Sequence, residues 1–129
     1  MTVEFIGFCD FAQDNNGKLT VVGAFDSIFA RSFPIVHPQM AFVLKFRFTI
    51  AEKGRHQVKV TFESTSGKNQ LPPLDATVDV QVFNTASAPV QFVSTFLQTQ
   101  FGAEDTFMAN VEVDGQEVAT TPLYINRIN

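Results

Sequence analysis

The sequence predicts an all-β protein: one domain over residues 1–129, built as an antiparallel two-sheet sandwich of about seven to eight strands. Three observations carry this. Apolar and polar residues alternate with a period of two in several separate runs. Two dipeptides that favour tight hairpins, Asn16-Gly17 and Asp114-Gly115, stand between such runs. No window of a dozen residues holds a helical period, and no internal repeat is visible.

Taken in chain order, Val3–Phe11 and Leu19–Phe25 read as two strands joined through Asn16-Gly17. Phe25, Ile28, Phe29 and Phe33 then recur at helical spacing, while Phe33-Pro34 and His37-Pro38 force extended or turn geometry soon after. This stretch reads as an irregular crossover between sheets, with room for a short helical turn near Asp26 and with its aromatics plugging one end of the sandwich. Met40, Phe42, Leu44, Phe46, Phe48 and Ile50 fall on one side of a half-buried strand, opposite Lys45, Arg47 and Thr49. Val58, Val60 and Phe62 alternate in the next run, and Glu52-Lys53-Gly54 between the two predicts a hairpin. The Ser66–Pro73 loop is predicted to be the most mobile segment.

Leu74–Val82 and Phe107–Val113 alternate cleanly, and Val90–Phe101 does so more weakly. A two-residue turn at Asp114-Gly115 sets Val113 opposite Gln116, Glu112 opposite Glu117 and Val111 opposite Val118. The Glu112–Glu117 pairing is mildly unfavourable, which loosens that register. Pro122 interrupts the run after this turn, so Leu123–Ile128 is expected as an edge or bulged strand.

Composition limits the function. The chain is 45% apolar with a net charge of −4, which excludes a disordered chain and argues against nucleic acid as a partner. Met1–Phe8 holds no basic stretch ahead of an apolar run, and no window approaches the ~18 apolar residues of a membrane span, so neither a signal peptide nor a membrane association is expected. Cys9 is the only cysteine; it excludes an intrachain disulfide and fits a cytoplasmic location. Fifteen Phe against one Tyr and no Trp is the unusual usage.

No strong catalytic or cofactor motif occurs: no Walker loop, GxGxxG, GxSxG, HExxH or CxxC. No catalytic residue, cofactor or metal is therefore assigned. Asp14-Asn15-Asn16-Gly17 has calcium-loop composition without the ligand spacing, and a plain turn explains it better. Asp75, Asp79 and Glu112 are read as a solvated face rather than as paired catalytic carboxylates. Asp10, Asp26 and His37 are the candidates for a polar site at one end of the sandwich. Against them stands the simpler account that the Asp residues cap turns and His37 satisfies backbone groups.

Charge is lopsided. Residues 45–59 hold five basic side chains against Glu52 alone, whereas residues 60–129 hold two against eight acids. Lys45, Arg47 and Lys59 are expected on the outward face of adjacent strands, either as a docking face for an acidic partner or as protection against edge-to-edge aggregation. Some strands are apolar on both sides: Phe5, Ile6 and Phe8 cannot all face one interior, nor can Val21 and Val22. That surplus implies a covered outer face, a protein partner or a homodimer.

The strings Phe8-Cys9-Asp10-Phe11-Ala12, Gly17-Lys18-Leu19, Phe33-Pro34 and His37-Pro38, with the late Asp114-Gly115 hairpin and Pro122-Leu123, carry a resemblance. They resemble a family of small bacterial proteins of unknown function. The resemblance implies a compact immunoglobulin-like sandwich and carries over no activity. Three functions stand as expectations. The first is a non-catalytic cytoplasmic binding or protein-interaction module. The others are a small hydrolase or ligand-binding enzyme using Asp10, Asp26 and His37, and a structural subunit of an oligomeric assembly.

Overall fold

A computed structural model describes residues 1–83 and 86–128. Among the described residues nine strands run in order: β1 (Thr2–Asn15), β2 (Lys18–Phe25), β3 (Ser27–Ala30), β4 (Ile35–Thr49), β5 (Gly54–Ser64), β6 (Leu74–Val80), β7 (Ser87–Phe101), β8 (Asp105–Val113) and β9 (Gln116–Arg127). One sheet has the order β2-β1-β4-β7 and the other β3-β9-β8-β5-β6. β4 with β7, and β5 with β8 and β9, occupy the places of the B–E and C–F–G strands of an immunoglobulin sandwich. The β1–β2 hairpin extends the first sheet beyond β4.

The core is built mainly from phenylalanine. Phe8, Phe42, Phe46, Phe48, Phe101 and Phe107 are fully buried between the sheets, facing Val58, Val60, Leu123 and Ile125. Their rings meet edge-on, as in Phe8–Phe42 at 5.2 Å and Phe101–Phe107 at 6.1 Å. A phenyl ring has no polar atom to satisfy, so it fills a dry interior without the hydrogen-bond partner that Tyr or Trp needs. Among the described residues, no buried side-chain nitrogen or oxygen lacks a partner.

Both predicted hairpin turns form. Asn16-Gly17 (φ 51° and 83°) and Asp114-Gly115 (φ 52° and 82°) hold positive φ at both central positions, as a type I′ turn requires. Val113 pairs with Gln116 and Glu112 with Glu117, and then a bulge sets Val111 opposite Ala119 rather than Val118. Pro122 lies inside β9, where β3 has not yet begun to pair, so its missing N–H faces no ladder partner.

Four expectations are corrected. First, β4 and β5 form no hairpin. A 3-10 turn at Ile50–Glu52, in which Glu52 accepts a hydrogen bond from the Thr49 N–H at 3.0 Å, carries the chain from one sheet to the other. Ile50 is consequently 63% exposed rather than part of the core. Second, the crossover near Asp26 forms no helical turn. Ser27–Ala30 is extended and pairs parallel to β9, which turns Ile28 and Ala30 inward and Phe29 outward. Of the crossover aromatics, Phe25 and Phe33 pack against the core and Phe29 does not.

Third, the 66–73 loop is anchored rather than loose. Asn69 and Leu71 are buried, and Asn69 is bonded to Gly102, Ala103 and Asp105. Fourth, β4 is half-buried only from Lys45 onward, where Lys45, Arg47 and Thr49 alternate with buried Phe46 and Phe48; Ala41 and Val43, on its outer side, are as inaccessible as Phe42 and Leu44. The far half of the β1–β2 hairpin folds back over this outer side. Cys9, Ala12, Ala41 and Val43 form a second cluster there, walled by Phe5, Leu19, Val21 and Val93. Gln91 Nε2 on β7 donates to Asp14 Oδ1 at 3.2 Å and to the Gly17 carbonyl at 3.3 Å, which ties down the hairpin tip. This covers Phe5 and Val21 within the chain, whereas Phe11 and Val22, on the hairpin's other side, stay exposed at 43% and 51%.

Candidate functional site

The hairpin bends over the sheet at Asp10 and Gly23, which face each other between the Cys9–Ala24 and Phe11–Val22 pairs. Gly23 has φ +65°, and a Cβ there would overlap the Asp10 carboxylate. The left-handed backbone calls for glycine, and a side chain there would also displace the Asp10 carboxylate. Asp10 thus lies flat across bare backbone at the rim of a cleft of about 410 Å³. Ala24, Phe25, Ser27, Ile28, Phe29 and His37 complete the lining.

The structure therefore brings two of the three predicted polar residues together. Asp10 comes from β1 and His37 from β4, where its ring lies 6.1 Å from that of Phe25. Asp26 is not in this cleft. Its carboxylate accepts the Ser27 hydroxyl at 2.9 Å, and it lines a neighbouring depression with Phe5, Phe8 and Thr121. Neither the Asp10 nor the His37 side chain has a hydrogen-bond or ion-pair partner among the described residues. Ser27, His37 and Asp10 share one cleft, yet the serine hydroxyl is spent on Asp26 and His37 bonds to neither of the others. A nucleophile–base–orienter chain is not assembled.

The predicted basic face is split by the β4–β5 crossover. Lys45 and Arg47 point outward from one sheet and Lys59 from the other, so the three share no surface. Lys45 and Arg47 fork around Glu4, at 3.5 Å and 2.9 Å, and Arg47 also donates to Ser87 Oγ. The Arg47 hydrogen bond is the main reason the Glu4 carboxyl sits below its ordinary value. Lys59 stands between Asp75 and Glu112 in the strand register. Cys9 is buried, and burial pushes its thiol pKa up, with the neighbouring Asp10 charge adding to the effect. Such a thiol is chemically quiet.

Two polar constellations carry no signal in the sequence. Asp105, 8% exposed, accepts hydrogen bonds from Ser64 Oγ, Asn69 Nδ2 and the backbone N–H groups of Ser66 and Thr106. Burial alone would raise its pKa, but these hydrogen bonds outweigh burial and hold the carboxyl at about 2. His56 stacks on Phe48 with ring centres 5.0 Å apart. Its Nδ1 meets Asp114 Oδ2 at 2.7 Å and its Nε2 meets the Glu52 carbonyl at 2.6 Å. Both partners are acceptors, so the ring fits this place as an imidazolium with two N–H donors. The Asp114 hydrogen bond foremost, then the Glu52 carbonyl, raises its pKa above the ordinary 6.5. Apart from the adjacent Thr106 N–H, the Asp105 and Asp114 contacts span 36 to 58 residues along the chain, beyond any local spacing signal.

Among the described residues, no group of three or more His, Cys, Asp or Glu side chains could hold a metal ion, and no helix is long and apolar enough to cross a membrane. Residues 4–126 match the model of a family of unknown function, DUF6941. No curated protein and no solved structure matches the chain.

Proposed function

The chain belongs to that family of unknown function, and from this premise we propose that it is a non-catalytic interaction module that takes an extended segment of a partner protein along the open edge of β7. One observation carries the reading, a comparison of the four sheet edges. β3 is only four residues long, β6 carries Asp75 and Asp79, and β2 starts at Lys18 and is bent at Gly23. Short length, charge and kinks are the devices that keep an edge from recruiting another strand. β7 is fifteen residues long and has no charged residue.

Its only interruptions are Pro89 near the start and Gln98, at φ 52°, near the end. Between them, Val90–Leu97 offers an uninterrupted edge with Leu97 65% exposed. Gln70, Leu71 and Pro72 run beside Thr95–Gln100 across a cleft of about 340 Å³, and no backbone hydrogen bond among the described residues joins them to β7. Strand addition at such an edge draws affinity from main-chain hydrogen bonds and specificity from side-chain pockets. The proposed compartment is the cytoplasm, supported by Cys9 as a lone, buried thiol.

The test is selection of twelve-residue peptides on the folded protein, followed by amide exchange of the complex. Protection of β7 amides, and loss of binding in the Thr95→Lys variant, support the proposal. Binders that protect another edge, or that survive Thr95→Lys, overturn it. A dimer in solution that Thr95→Lys dissociates overturns it too, in favour of a second copy on the same edge.

A further inference from the structure

We propose that the Asp10–His37 cleft is a second, independent binding site, and that its ligand is a guanidinium or primary ammonium group carried on a short apolar stem. Three observations converge. The Asp10 carboxylate has no partner among the described residues, and none of the cleft's lining residues is Lys or Arg, so its charge is uncompensated where it faces the cleft. The carboxylate is also not free to swing into the Gly23 backbone, against which it already packs. One side of the carboxylate is therefore closed by backbone, and the cleft is open to it.

Three of the other lining residues, Phe25, Phe29 and His37, are aromatic. Phe25 and His37 lie with ring centres 6.1 Å apart, and Phe29 stands 58% exposed at the mouth on β3. An exposed phenylalanine on a four-residue strand stabilises no core, whereas a ring face beside a carboxylate is the environment that attracts an organic cation. The carboxylate supplies a charge-assisted hydrogen bond, the rings supply cation–π contact and cover for the stem, and His37 adds one further polar atom. The volume, about 410 Å³, falls at the small end of the range that single ligands occupy. An anion is disfavoured by Asp10, and a purely apolar ligand would bury that carboxylate unpaired.

The experiment is an NMR titration of the ¹⁵N-labelled protein with n-butylguanidinium, with the neutral isostere n-butylurea as control. The expected result is saturable shifts at Asp10, Gly23, Ala24, Phe29 and His37 with millimolar affinity, and no saturation with the urea. Asp10→Asn weakens the affinity about fivefold or more, and Phe29→Ala about threefold. Both residues are exposed, so the variants retain the fold, and a thermal melt checks this. Equal binding of the urea, unchanged affinity in Asp10→Asn, or shifts centred on the acidic Glu112–Glu117 hairpin would each overturn the proposal. N-acetyl-arginine amide separates the sources: tighter binding than n-butylguanidinium assigns an arginine side chain of a polypeptide, and weaker binding a free small cation. The β7 edge takes no part in these readouts, so failure here leaves the strand-addition proposal standing.

Discussion

Gln91 on β7 donates its side-chain amide to Asp14 at the tip of the β1–β2 hairpin, 77 residues away in sequence, and so fastens the hairpin across the outer side of its own sheet. Beneath it Cys9, Ala41 and Val43 are as dry as the main core. Sheet faces in a two-layer sandwich are ordinarily solvated on the outside, with polar residues there. Here the hairpin adds a partial third layer over β4.

Val43→Ala removes two methyl groups from a residue that an open outer face would leave in water. With the hairpin in place it leaves a cavity and costs about 1–3 kcal/mol in chemical denaturation. A cost near zero would mean that the hairpin does not cover this face in solution.

Gly23→Ala forces a side chain into left-handed backbone and into the Asp10 carboxylate. It is expected to destabilise by about 1–3 kcal/mol. Gly7→Ala is the control. Its nearest non-neighbour atoms lie 3.5 Å from the added Cβ, and it should change stability by less than about 0.5 kcal/mol. Equal effects from the two variants would contradict the bend at Asp10 and Gly23.

Asp105 has a folded pKa of about 2 against an ordinary 3.8, so its ionised form favours the folded state. That contribution is fully present above about pH 4 and is lost as pH falls through 2, amounting to roughly 2 kcal/mol. Asp105→Asn should lower stability at pH 6 and flatten the pH dependence between 4 and 2. Denaturation curves with the same acid limb in both proteins would rule the network out as its source.

His56 works in the opposite sense. Its folded pKa is raised above the unfolded value of 6.5, so the stabilisation is complete below pH 6.5 and disappears as pH rises through the folded pKa. Proton-detected titration should find His56 above 6.5, and Asp114→Asn should bring it down. Asp114 is half exposed, and salt should weaken the coupling. A His56 midpoint that Asp114→Asn leaves in place would assign the shift elsewhere.

The local grammar of the chain was legible. Alternation at Met40–Phe48 and Phe107–Val113 located strands because the burial of one face imposes period two, and Asn16-Gly17 and Asp114-Gly115 located turns because both positions need positive φ. Partner choice was not legible. Whether Glu52-Lys53-Gly54 closes a hairpin or carries the chain to the other sheet depends on how the Ile50–Glu52 turn is oriented, and the dipeptides do not encode that. The helical spacing of Phe25, Ile28 and Phe29 lost to pairing along the free edge of β9, a tertiary gain that outweighs local preference. Of the candidate site, Asp10 and His37 line one cleft without bonding to each other, Asp26 lies outside it, and the basic trio rested on a β4–β5 hairpin that the topology undoes.

The far half of the β1–β2 hairpin is held by a small satellite of apolar contacts and a few polar ties, whereas Phe8 and Phe25 at its base belong to the large phenylalanine interior. Its few contacts predict that it opens at lower free energy than the sandwich itself. Cys9 sits under its base with no accessible surface. Its alkylation by a maleimide in native buffer would then count those excursions one molecule at a time, turning the only sulfhydryl of the chain into a clock for how often the flap is raised.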